Sequence, residues 1–190
     1  MPKLGSLLGL WDRTDLLEHI LEEGEAGSPA VARAMLVAGL ARRASPLVVV
    51  LPRSRDAEAF AAELELWLGD PPERGEGHAG VALFPAWEVL PGESMSPTLE
   101  TMGRRMRVLR DLAAGRGAAV IVAPVRAFLQ RVAEPAVGER GLWLAAAATQ
   151  DLDEATERLA AFGYESNYLV ERPGEFAVRG GILDVFPPGR

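Results

Sequence analysis

Three short apolar runs constrain what this chain can fold into more than any other feature. Leu47-Val48-Val49-Val50-Leu51, Val81-Ala82-Leu83-Phe84 and Ala119-Val120-Ile121-Val122-Ala123 show no polar alternation, the pattern of strands covered on both faces. Helical stretches separate them. Ser54 is placed to cap a helix running to Leu68, with Asp56 at its positive end. Ser96-Pro97 supplies a cap and a first-turn proline for another, in which Leu99, Met102, Met106, Leu109 and Ala113 form one apolar stripe until Gly115 and Gly117 stop it. Thr14–Glu23, the stretch that follows the loop of Gly24, Gly27, Ser28 and Pro29 and runs to about Arg43, and Val125–Val132 read as further helices. This order predicts an α/β fold, a parallel sheet with helices on both faces.

The pattern changes after about Pro135. Leu142-Trp143-Leu144 reads as a strand, and Asp151 with Glu154 resembles a capping box. The helix they open turns Leu152, Ala155, Leu159 and Phe162 inward and stops at Gly163. Tyr168–Glu171, Phe176–Arg179 and Ile182–Phe186 then read as strands joined by Pro173-Gly174 and Gly180-Gly181 turns. A small α+β lobe is expected here, with a boundary near 133–140. The last strand runs into Pro187-Pro188 with little sequence left to pair it, as expected of a piece of a longer protein.

Composition removes whole classes of chemistry. The 190 residues include no cysteine, which excludes disulfides, thiolate metal sites and a cysteine nucleophile. Histidine occurs only at His19 and His78, and His78 sits in the polar Pro71–Gly80 loop. The single lysine, Lys3, is far from any glycine-rich loop opening a helix, so a phosphate loop cannot be assembled and ATP hydrolysis is not expected. The acidic pairs Glu22/Glu23, Glu63/Glu65 and Asp151/Asp153 read as solvated helix faces, and Gly92-Glu93-Ser94-Met95 is no nucleophile elbow. No catalytic residue, cofactor or metal is predicted. No run reaches the ~20 apolar residues of a membrane span, and a cytoplasmic protein is expected.

Net charge is −7, yet Met102–Arg131 holds seven arginines and one acid, Asp111. Arg104, Arg105, Arg107 and Arg110 fan around the predicted helix opposite its apolar stripe. They suit a solvated, ion-paired face, or a docking face for another domain or a nucleic-acid backbone.

Two blocks carry a family resemblance. The first is Phe84-Pro85-Ala86-Trp87-Glu88-Val89-Leu90-Pro91, followed by Glu93, Ser96-Pro97, Glu100-Thr101 and Gly103-Arg104-Arg105-Met106-Arg107-Val108-Leu109-Arg110. The second runs from Val170-Glu171-Arg172-Pro173-Gly174-Glu175-Phe176 through Ala177-Val178-Arg179-Gly180-Gly181 to Ile182-Leu183-Asp184-Val185-Phe186-Pro187. Across about 30–190 the chain resembles the N-terminal, UvrB-homologous region of the bacterial transcription-repair coupling factors, in truncated form. UvrB itself would carry an intact phosphate loop and a long β-hairpin before Ser96, where only Gly92–Met95 lies.

The resemblance implies a degenerate helicase-like lobe over 1–135, without a nucleotide site. It further implies a small UvrA-binding lobe over 136–181 and a strand, 182–190, that returns to the first lobe. The implied task is to recruit UvrA, so that nucleotide excision repair follows removal of a stalled RNA polymerase. RNA polymerase binding and ATP-driven translocation on DNA would belong to regions of the whole protein not present here, whose other domains are further implied partners. Arg179 matches an arginine used against UvrA, and its place before a Gly-Gly turn suggests a guanidinium directed into solvent. Phe176 and Glu175 are weaker members of the same implied site.

Overall fold

The computed structural model describes residues 7–9, 15–68, 80–89, 96–132, 142 and 149–188. Lys3, His78, the Gly92–Met95 segment, and Trp143 and Leu144 of the expected strand lie outside them. The chain forms two compact units, Met1–Ala86 with Asp111–Val132, and Trp87–Arg110 with Ala133–Arg190. The 87–110 segment, expected in the first lobe, therefore groups with the second.

In the first unit, helix α1 (Leu16–Glu23) ends at Gly24, whose left-handed backbone returns its N–H to the Ile20 carbonyl. A 3₁₀ turn (Ala30–Ala32) leads into α2 (Arg33–Ala41), followed by strand β1 (Leu47–Leu51), helix α3 (Ser54–Leu68) and strand β2 (Val81–Leu83). After helix α4 (Leu99–Ala113) come β3 (Val120–Pro124) and the short α5 (Val125–Leu129). The sheet is parallel in the order β1-β3-β2, with Leu47 and Val81 both in register with Val120.

That register fixes which side chains share a face. Leu47, Val49 and Leu51 of β1, Val81 and Leu83 of β2, and Val120 and Val122 of β3 point together into the core. Ala34, Ala38 and Ala41 of α2 and Ala57, Ala61 and Leu64 of α3 meet them. Small alanines let the helix axes lie close to the sheet, and Leu64 fills the remaining volume.

The central strand β3 is buried along its whole length, as its sequence predicts. The equally apolar β1 is not. Val48 and Val50 are 51% and 48% exposed, because the face of β1 turned away from the core is largely uncovered. The parallel sheet flanked by helices is as expected, but this strand has one covered face rather than two.

The second unit contains α6 (Leu152–Ala161), β4 (Glu165–Ser166), β5 (Glu175–Arg179) and β6 (Ile182–Phe186). Asp151 caps α6, its Oδ1 accepting from the N–H groups of Asp153 and Glu154 at 2.8 and 3.2 Å. Glu154 faces Arg158 instead of reaching back, at 3.8 Å, so the cap is one-sided. Ala155 and Leu159 are buried, whereas Phe162, expected inward, falls beyond the helix end and is largely exposed.

The sheet order is β4-β5-β6, with β4 parallel and β6 antiparallel to β5. One expectation changes. The first strand of this sheet is Glu165–Ser166 and not Tyr168–Glu171: the Asn167 N–H makes a bond to the Phe176 carbonyl, after which the chain bends and leaves Tyr168 87% exposed. Ile182–Phe186 pairs with β5, as the Gly180-Gly181 turn between the two strands implies. Gly180 and Gly181, with φ of 55° and 86°, make the two-residue left-handed turn that matches the strand twist of such a hairpin.

A candidate partner-binding face on the small unit

The β5–β6 hairpin carries the residues that the sequence singled out. Arg179 lies opposite Ile182, and Asp184 lies opposite Ala177, so all four project from one face of the hairpin. Arg179 does not extend past the turn into solvent. Its Nη2 donates to Asp184 Oδ2 at 2.7 Å, folding the guanidinium back along the strand. Both side chains are part-exposed, at 47% and 39%. They stand at the rim of a shallow depression walled by Leu169, Val170, Val185, Phe186 and Pro187. Asp184 was missed in reading the sequence, although a two-residue Gly-Gly turn sets the register that makes residues 179 and 184 diagonal neighbours.

The other two candidates have local work. Phe176 is 4% exposed and belongs to the core of the small unit, so it cannot touch a partner as the hairpin stands. Glu175 Oε2 accepts from the backbone N–H groups of Glu171 and Arg172, each at 2.8 Å. These two bonds, with the nearby Arg172 charge, hold its carboxyl below the usual carboxylate range. Glu175 thus ties the connection from β4 to the start of β5.

Part of the first block of the resemblance, from Trp87 to Arg110, belongs to the same unit. Thr98 caps α4, two residues later than the expected Ser96: its Oγ1 accepts from the Thr101 N–H at 3.3 Å and donates to Glu88 Oε1 at 2.8 Å. The Thr101 hydroxyl donates to the same carboxylate oxygen. Partial burial opposes ionisation of Glu88, but the Thr101 and Thr98 bonds outweigh it and lower its pKa. Beside it the Arg105 guanidinium lies 4.3 Å from the centre of the Trp87 ring.

Those partners decide which side of α4 is buried. Thr101, Arg105 and Val108 form the covered face, and Leu99 and Met106 of the expected apolar stripe are substantially exposed. Arg105, 1% exposed, is therefore no part of a basic docking face. Of the others, Arg104 holds Glu100 at 2.6 Å one helical turn away, and Arg107 and Arg110 are exposed. Among the described residues no group of three or more histidine, aspartate or glutamate side chains could hold a metal, and no helix is long and apolar enough to cross a membrane.

Residues 142–190 match the UvrB interaction domain family, which covers α6 and the whole β4-β5-β6 sheet. Over 167 residues the chain is 39% identical to the transcription-repair-coupling factor of Mycobacterium tuberculosis, covering 85% of this chain and 13% of that protein. The corresponding proteins of Myxococcus xanthus and Escherichia coli are 38% identical over 149 residues and 32% over 160. Those alignments cover 76% and 82% of this chain, and 12% and 13% of the relatives. The chain is a homologue of the transcription-repair-coupling factors. It spans only about an eighth of the length of the relatives it matches. The α/β unit and the small interaction unit of this coupling-factor region are the two parts described above.

Proposed function

We propose that this region of a transcription-repair coupling factor is its UvrA-recruiting module, and that the β5–β6 hairpin face carries the contact. The observation that supports this most is the match of 142–190 to the UvrB interaction domain, within which Arg179 stands part-exposed on a hairpin with a fixed turn. A guanidinium offers five donors in a rigid fork suited to a carboxylate, and such arginines dominate the energetics of many protein interfaces. In this reading the α/β unit is a scaffold. RNA polymerase, DNA and ATP are handled by other parts of the whole protein.

The test is calorimetric titration of UvrA from the same organism into this chain and into its Arg179→Ala variant. An interface arginine at a hot spot costs about 2 kcal/mol or more when truncated. A loss of that size, with unchanged circular dichroism, supports the reading. Binding that survives the substitution moves the contact off this hairpin, and a folded chain that binds no UvrA overturns the recruitment reading.

A further inference from the structure

We infer that Asp184 is a positioning residue for Arg179, holding its guanidinium at the shallow depression where a partner carboxylate would meet it. This deepens the reading above and rests on it. Left alone, an arginine at the end of a strand samples many rotamers beyond the turn, and a partner must order it at a cost. Here the 2.7 Å bond to Asp184 draws it two residues back along the hairpin, toward Leu169, Val170, Phe186 and Pro187.

The alternative role for Asp184 is that of a rival for the same cation. Geometry favours positioning. The pairing uses one of the five guanidinium N–H groups, and among the described residues Asp184 is the side chain that holds Arg179. The other donors of the fork remain to receive a second carboxylate in a two-point contact. A partner that covers the depression would displace water from it, and that exclusion strengthens the second contact. The partner surface that fits is a carboxylate flanked by an apolar side chain.

A double-mutant cycle on UvrA binding tests this, using the full chain with Asp184→Ala, Asp184→Asn, Arg179→Ala and the Arg179→Ala/Asp184→Ala pair. Ordering a long side chain sets the scale, so Asp184→Ala should weaken binding about fivefold. Asp184→Asn, which keeps the acceptor, should recover most of that loss. In the Arg179→Ala background removal of Asp184 should change nothing, a result that a general structural role would not give. If Arg179→Ala weakens binding but Asp184→Ala leaves it unchanged or tightens it, positioning is wrong and the hairpin reading stands. If Arg179→Ala has no effect, the hairpin reading fails and the role of Asp184 falls with it.

Discussion

Glu88 shows how one carboxylate organises a segment. It accepts from the Thr98 and Thr101 hydroxyls, and its depressed pKa makes its ionised form part of the folded state. A carboxyl whose pKa falls on folding stabilises above its unfolded value, and that contribution disappears as pH drops through the folded one. Glu88→Gln should therefore lower the melting temperature at pH 7 and flatten its decline below about pH 4.5, measured by thermal circular dichroism across pH. A variant that declines with acid as steeply as the parent would remove Glu88 from this role. The Arg105–Trp87 stack next to it favours the cation through the ring face by about 0.5–2 kcal/mol. Arg105→Met, which keeps length but not charge, separates that attraction from simple filling of the site.

Among the elements, helix α3 and the hairpin make the sharpest predictions. Leu64 is fully buried between α3 and the sheet, so Leu64→Ala should cost about 2–5 kcal/mol in chemical denaturation. At Gly181, with φ of 86°, a valine must adopt the left-handed conformation, which costs about 1–2 kcal/mol, while asparagine should be better tolerated. The strands were legible as strands because their apolar runs are continuous and bounded by turn residues. Their spatial order was not: β3 lies between β1 and β2, and nothing in the run Leu47–Leu51 marks it as an edge. The face of α4 was misjudged for a related reason. Periodicity counts apolar side chains, whereas Arg105 and Thr101 are buried by specific partners on Trp87 and Glu88. Arg179 was singled out by the family resemblance; its pairing with Asp184 needed the register.

At the scale of the molecule, the proposed partner face lies wholly within the second unit, while the Leu64 core lies wholly within the first. Leu64→Ala should thus leave UvrA affinity within about twofold at a temperature where the variant stays folded, since sites without shared partners behave additively. A large loss of affinity in that folded variant would mean that the two units act as one. The ion pair on the hairpin also bears on how quickly a complex can form. Because Arg179 brings its own counterion, the pair adds almost no net field of its own to that of a chain whose overall charge is −7. The pair itself therefore steers encounter little, so replacing both Arg179 and Asp184 should leave the association rate and its ionic-strength dependence nearly unchanged. Discrimination between right and wrong partners is then expressed in how long a complex survives, not in how often one is met.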